Sequence, residues 1–448
     1  MMGKMKLLVL GLLPYSVFLQ AGTLTLESSV EKVLESNPVM LEKLASYKAV
    51  SDDVRIAKAG YYPQLDLVSS IGEERLDTDN SKFPDQSTLR YYKNSLVLKQ
   101  NIFNGFGTES EVDYQKNREV AAAYHFIETA DDIAFQMSQV YLELLKQREL
   151  LEIAKEDVAI NKEIFDKIKE LDSSGLTGRS EMKKIESSLS LARSNYIVQM
   201  NNLEDANHNF QRVYGESVDY NELIEPEFKA VLPQSLEEAV AYAVRHNPSM
   251  KVSDFNIMAS KQFVKQSDKN FYPTLDLVVS QDLDNNINGN EEDYNRFNAG
   301  LVLSYNFYKG GQDKAQSAKA QNLLNKELQT KNDLERQVRQ GMELSWSAYE
   351  MIEDQLKELT KYQEYSEETL ALYREEYDLG RRTLLDVLST QNDIQNAKVQ
   401  MATAKSDHLF SKYRILDSMG LLVNGILFDN YDYMEKVGLG QPQESTKQ

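Results

Sequence analysis

Residues 61–68 read YYPQLDLV and residues 271–278 read FYPTLDLV, so the chain writes nearly the same eight residues twice, 210 positions apart. The match extends in both directions. TLESSVEKVLESNP from Thr25 answers SLEEAVAYAVRHNP from Ser235 at the same spacing, and SLVLKQNIFNGFG from Ser95 answers GLVLSYNFYKGG from Gly300 at a spacing of 205. The five residues missing from the second copy fall in a loop, where deletion is tolerated. An internal repeat this long means that the fold consists of two versions of one unit.

The unit can be read in order. Thr25 and Ser235 precede acidic residues as helix N-caps do, and each Asn-Pro then starts a second helix, because proline is favoured at the first helical position. Next comes alternation with a period of two. Leu65, Leu67 and Ile71 oppose Gln64, Asp66 and Ser70, and in the second copy Leu275, Leu277 and Val279 oppose Thr274, Asp276 and Ser280. Each half-polar strand leads through a polar loop (DTDNSKFPDQST or DNNINGNEED) to a return strand, which in the second copy puts Leu301, Leu303, Tyr305 and Phe307 on one face. Asp66, Asp276 and Asn306 are the polar candidates for lining a pore.

The chain then changes character. All nine prolines fall outside residues 85–225 and 274–441, and no glycine lies between Thr108 and Ser174. Nothing there breaks a helix. One running from Thr108 to Asp172 would be on the order of 100 Å long at about 1.5 Å per residue. Leu144, Leu151, Val158 and Phe165 recur every seven residues, as do Met342, Tyr349 and Leu356, which is coiled-coil spacing. SSGLTGRS (173–180) and YDLGRRT (377–383) are glycine turns from which a second helix runs back.

The expected organisation is a leader at 1–21, short helices at 22–60, a strand hairpin at 61–106 and a long helical hairpin at 107–209. After a mixed segment at 210–247 come a helix at 248–270, a second strand hairpin at 271–309, a second helical hairpin at 310–420 and a tail at 421–448. Lys4 and Lys6 before LLVLGLLPYSVFLQ, with Ala21 closing the segment, have the order of a secretory leader, although Leu19 departs from the small residue usual near the cleavage point. Elsewhere no apolar run approaches the roughly 18–20 residues of a membrane-spanning helix. If the mature chain enters a membrane, it does so as strands. Four strands cannot close a barrel, and open sheet edges are not tolerated in hydrocarbon, so copies of the chain must pool their strands. Tyr61, Tyr62, Tyr91, Tyr92, Phe103 and Phe106, answered by Phe271, Tyr272, Phe307 and Tyr308, crowd the strand ends as aromatic girdles do at membrane interfaces.

Charge and composition exclude other classes. With 70 acids and a net charge of -20 the chain is no nucleic-acid binder, and without cysteine it has no disulfide, thiolate metal site or thiol nucleophile. His125, His208, His246 and His408 are isolated, and no phosphate-cradling glycine loop is present, so no catalytic residue, metal site or cofactor is expected.

YDLGRRTLLDVLSTQNDIQNAK from Tyr377 and, more weakly, SGLTGRSEMKKIESSLSLAR from Ser174 resemble the two periplasmic tips of the TolC family of outer-membrane channel-tunnels. The resemblance covers nearly all of the chain after its leader. It implies an α+β membrane protein: a TolC-like long α-helical coiled-coil barrel and a transmembrane β-barrel completed by trimerisation, with four strands per protomer. The implied setting is the outer membrane of a Gram-negative bacterium, most of the chain being periplasmic. The implied partners are two further copies, outer-membrane lipid, a periplasmic adaptor (membrane fusion protein), and an inner-membrane ABC transporter or another efflux pump.

By the same resemblance Asp386 stands in the constricting acidic ring of the gate. Tyr377 and Arg382 tie the returning helix to its neighbours, Ser180 and Glu181 receive those ties, and an Arg382–Glu181 contact is chemically sensible. The family's second acidic ring falls at Ser389, which puts cation selectivity in question. The plainer alternative is that Glu181 and Asp386 are ordinary solvated helix charges. Gly175, Leu176, Leu379 and Gly380 at the tips are implied adaptor contacts and equally serve plain turn chemistry. Three functions stand open: the exit duct of type I protein secretion for an adhesin or toxin, which the Gly-Arg-Ser and Gly-Arg-Arg tips and RILDSMGLLVNG from Arg414 resemble most; a duct for drug or metal efflux; and a poreless periplasmic scaffold, against which the duplicated strand pairs count.

Overall fold

A computed structural model describes residues 23–75, 88–175, 177–288 and 291–427; residues 1–22, 76–87, 176, 289–290 and 428–448 lie outside the described residues. The repeat is explicit in the elements. The first copy comprises α1 (Leu26–Ser36), α2 (Pro38–Ala59), β1 (Gln64–Arg75), β2 (Thr88–Phe103), α3 (Gly107–Ser173) and α4 (Arg179–Tyr214). The second comprises α5 (Leu236–His246), α6 (Pro248–Ser267), β3 (Thr274–Asn285), β4 (Asp293–Ser304), α7 (Gln312–Asp378) and α8 (Leu384–Met419), and a short α9 (Leu422–Leu427) follows. α3 and α7 are both 67 residues long, and α4 and α8 both 36.

The Asn-Pro pairs act alike in both copies. The Asn37 side chain accepts from the Val39 N–H at 2.8 Å and that of Asn247 from the Ser249 N–H at 2.9 Å, so each asparagine caps the helix its proline opens. Two boundaries differ from the sequence reading. α4 runs on to Tyr214, where Gly215 at φ 89° caps it. β4 stops at Ser304, so Tyr305, Asn306 and Phe307 lie past the strand; there the Asn306 side chain accepts from the Tyr308 N–H at 3.0 Å and turns the chain toward Gly310 and Gly311, both at positive φ.

The chain forms two compact units. One comprises Met1–Val33, Met137–Phe228 and Leu356–Ser406, and the other Leu34–Gln136, Lys229–Gln355 and Asp407–Gln448. In the first, Leu24 bridges Leu223, and the buried Tyr141 hydroxyl donates to the carbonyls of Leu24 and Ile224, both at 2.7 Å. Arg148 adds bonds to the carbonyls of Tyr220 and Leu223. In the second, Ala239, Val240 and Ala243 of α5 pack on Met342 and Trp346 of α7 and on Ile415 and Met419 of α8. The heptad positions contribute to both cores: Leu144 and Met342 are fully buried, and Leu356 packs beside Leu359, Met401 and Ala404. Among the described residues no helix is long and apolar enough to cross a membrane.

The second unit carries one antiparallel sheet in the order β1-β2-β3-β4. Register places Leu65, Leu67, Ile71, Leu96, Leu98, Leu275, Leu277, Val279, Leu301 and Leu303 on one face. That face is bare: Leu67 is 70 % exposed and Leu301 67 %. β1 and β4 are the outer strands, and neither is paired on its far side among the described residues.

Candidate functional site

The polar candidates of the strands lie on the opposite face of this sheet. Asp66 stands across from Val97, and Asp276 pairs with Asn101, whose amide donates to it at 2.8 Å, while Lys99 reaches it at 3.2 Å. Ser95 donates to Asp282 at 2.6 Å, and the Tyr91 ring lies over Gly72 where a β-carbon would stand. Cross-strand pairs of opposite charge and of amide with acid hold this face in register while keeping it wet. Tyr61 and Tyr62, Phe103 and Phe106, Phe271 and Tyr272, and Tyr305 and Phe307 gather at one end of the sheet, because antiparallel pairing brings the starts of β1 and β3 beside the ends of β2 and β4. Edge-on contacts at 5.4 Å (Phe103–Phe106), 6.1 Å (Phe106–Tyr272) and 4.9 Å (Tyr305–Phe307) connect them. The strands are 12 to 16 residues long, enough for the roughly 9–11 a tilted transmembrane strand requires.

In the first unit the helical hairpins end in matched turns. α7 stops because Gly380 takes φ 70°; its N–H donates to Tyr377 O at 2.9 Å, and that of Arg381 to Glu376 O at 2.8 Å. α3 stops at Gly175 with φ 72° and an N–H bond to Asp172 O at 3.0 Å. Leu379 is largely exposed at the turn.

Arg382 reaches back over its own turn. Its Nε donates to Glu376 at 2.6 Å and its guanidinium lies 4.2 Å from the Tyr373 ring centre. The expected Arg382–Glu181 contact is therefore not made within the chain. Glu181 instead accepts from the Thr177 hydroxyl, and Ser180 is exposed at the start of α4. Asp386 forms a capping box with Thr383: its carboxylate accepts from the Thr383 N–H at 3.2 Å and hydroxyl at 2.8 Å. Those bonds, with Arg382 nearby, hold the Asp386 carboxyl below the usual range, so it is charged. Tyr377 is half-buried among Ile168, Ile185, Leu384 and Leu388 and also touches the Leu370, Val387 and Ile394 cluster. Burial, then the charges of Glu181 and Asp378, push its phenol up, so it stays a neutral hydrogen-bond donor. The tip thus brings Tyr377 near Glu181, and Arg382 near Asp386, as two separate pairs.

Two ion pairs across the hairpins escaped the sequence reading: Lys167–Asp378 at 2.9 Å and Lys398–Glu156 at 2.7 Å. Residues 211 and 242 positions apart share no local signal. The Thr383/Asp386 box was readable as Thr-x-x-Asp before an apolar run. Of the histidines, His125 bonds Glu128, His246 stacks on Tyr242 and His408 on Tyr349. Among the described residues no cluster of acids and histidines is arranged to hold a metal.

An edge-open sheet, apolar on one face and polar on the other, carried with paired helices of such length, defines a subunit of a membrane channel. The comparisons with known proteins place it further. The family model described as outer membrane efflux protein matches residues 29–216 and 240–420, and the chain belongs to that family. It is similar to the outer membrane efflux protein BepC of Brucella suis biovar 1 (23 % identity; 88 % of this chain and 85 % of BepC covered). It is also similar to the outer membrane protein TolC of Escherichia coli K12 (22 % identity; 92 % and 86 % covered). Among solved structures it superposes on the Campylobacter jejuni CmeC outer membrane channel with a TM-score of 0.78, at 15 % identity, covering 93 % of this chain and 90 % of that one. The protein is therefore an outer-membrane channel of the kind that serves tripartite export systems, and not an enzyme.

Proposed function

We propose that three copies of this chain assemble into the exit duct of a type I secretion system, which passes a protein of the adhesin or toxin class through the outer membrane. The observation that carries the assembly is the sheet itself: four strands with two open edges and a bare apolar face. Open edges are not tolerated in hydrocarbon, and three such sheets joined β4 to β1 give twelve strands and no edge. The polar face with Asp66 and Asp276 then lines the lumen. The tips meet a periplasmic adaptor through Gly175, Leu176, Leu379 and Gly380, and an inner-membrane ABC transporter drives the cargo.

In this reading the closed duct is held at its tips. Asp386 from three copies makes a ring of charge. Tyr377 and Arg382, with Ser180 and Glu181, tie the returning helix to its neighbours in that state, the Glu376 and Tyr373 contacts of Arg382 being its alternative partners. The reading of the cargo as a protein is supported by the likeness of the Gly-Arg-Ser and Gly-Arg-Arg tips and of RILDSMGLLVNG from Arg414 to the secretion branch of the family. Drug or metal efflux is the second reading, favoured by membership of the outer membrane efflux protein family and by the similarity to the outer membrane efflux protein BepC. Mass spectrometry of culture supernatant from cells with and without the gene separates the two. Loss of one large secreted protein is the expected result; an unchanged supernatant together with new drug or metal sensitivity would assign the duct to efflux.

A further inference from the structure

The polar face of the sheet balances its charges between neighbouring strands, with one exception. Register sets Asp282 of β3 directly across from Arg296 of β4, and Asp284 of β3 directly across from Lys93 of β2. Asp276 takes the third cation of this face, Lys99, at 3.2 Å. Opposite charges that face one another across strands attract, so each of these three acids is offset by a base. Glu74, one residue from the end of β1, is also engaged.

Asp66 is different. It stands opposite Val97, is exposed, and among the described residues its carboxylate makes neither an ion pair nor a hydrogen bond. Lys99, two residues along β2 from Val97, is the base closest to it in register, and that side chain turns to β3 instead. The outer position of β1 matters as well. In a barrel closed β4 to β1, Asp66 meets the polar face of a neighbouring β4, whose one cation, Arg296, already stands across from Asp282.

We propose that Asp66 sets the ion preference of the channel: three copies place a ring of carboxylates without counter-charges in the barrel, which draws cations in and holds anions back. The inference rests on the trimeric barrel proposed above and involves no residue of the tips. Asp66 is the third residue of β1, so the ring lies at the end of the sheet where the aromatic side chains gather. A fixed charge in a water-filled lumen acts through its potential, which salt screens over about 10 Å at 0.1 M and about 30 Å at 0.01 M. The preference is therefore strong in dilute salt and fades in concentrated salt.

Reversal potentials of the full-length channel in planar bilayers, under a gradient of potassium chloride, test it. Asp66→Asn keeps the size and polarity of the side chain and is expected to lower the permeability ratio of potassium to chloride at least about twofold in dilute salt. Lys99→Gln should move the ratio the other way, because Asp276 then loses its cation. Both shifts should persist when Asp386→Asn is added, which takes the Asp386 ring out of the tips. A conducting Asp66→Asn channel with the wild-type ratio would overturn the proposal and leave the barrel standing, as would a ratio that falls in Lys99→Gln or shifts that vanish with Asp386→Asn. A wild-type chain that sediments as a non-conducting monomer would remove the barrel and the ring with it.

Discussion

Arg382 is a bound residue rather than a free charge: it donates to Glu376 and covers Tyr373, all within one helical turn end. Its environment is exposed, and exposed ion pairs contribute little to stability. Arg382→Ala should accordingly leave thermal unfolding unchanged while raising the leak current of the channel in planar bilayers; unchanged currents would remove Arg382 from the gate. Tyr377 is the opposite case. Its ring fills a space between two apolar clusters, so Tyr377→Ala should cost about 2 kcal/mol, less than a fully buried aromatic would, in a denaturation series. Tyr377→Phe keeps that packing and isolates what the neutral phenol does. The position of Tyr377 beside the turn could be read from YDLGRRT, but its place between two clusters could not, because Ile168, Ile185 and Leu388 come from three different helices.

At the scale of the element, the turns carry unequal loads although the sequence writes both with glycine. Gly380 and Gly420 both adopt positive φ, which costs another residue about 1–2 kcal/mol. Around Gly380 the space is open, whereas a β-carbon at Gly420 would lie 2.2 Å from Pro248 Cδ. Gly380→Ala should therefore lose only the strain, and Gly420→Ala should lose several times more or fail to assemble, as thermal unfolding followed by circular dichroism will show. The Asn-Pro helix starts were legible at once, since Asn37 and Asn247 make the same bond in both copies. Where β4 ends was not: Leu301, Leu303, Tyr305 and Phe307 keep the alternation, and only the Asn306 turn takes the chain out of the sheet.

For the whole molecule the decisive feature is which face of the sheet meets lipid. Leu301 belongs to the apolar face and Ser280 to the polar one, and each lies well inside its strand. A charge on a lipid face near the membrane midplane costs about 2–4 kcal/mol, while one on a lumen face is solvated. Leu301→Arg should thus reduce the amount of assembled channel in outer-membrane fractions. Ser280→Arg should assemble normally and change single-channel conductance. Loss of assembly in Ser280→Arg with normal assembly of Leu301→Arg would mean that the faces have been exchanged. Sedimentation of the detergent-solubilised wild-type channel checks the oligomer: three copies are expected, and a monomer that conducts no ions would remove the barrel.

The sequence by itself determined the duplication, the helix starts, the long unbroken helices and the alternation of the strands, because each is written in neighbouring residues: a cap beside a proline, a glycine at a reversal, a period of two or seven. Tertiary structure decided which side chains meet across hundreds of positions. It gave Arg382 to Glu376 rather than Glu181, joined Lys398 to Glu156, and turned Lys99 to Asp276. Such meetings depend on how the hairpins pack, and packing is the sum of many weak contacts that no local pattern records.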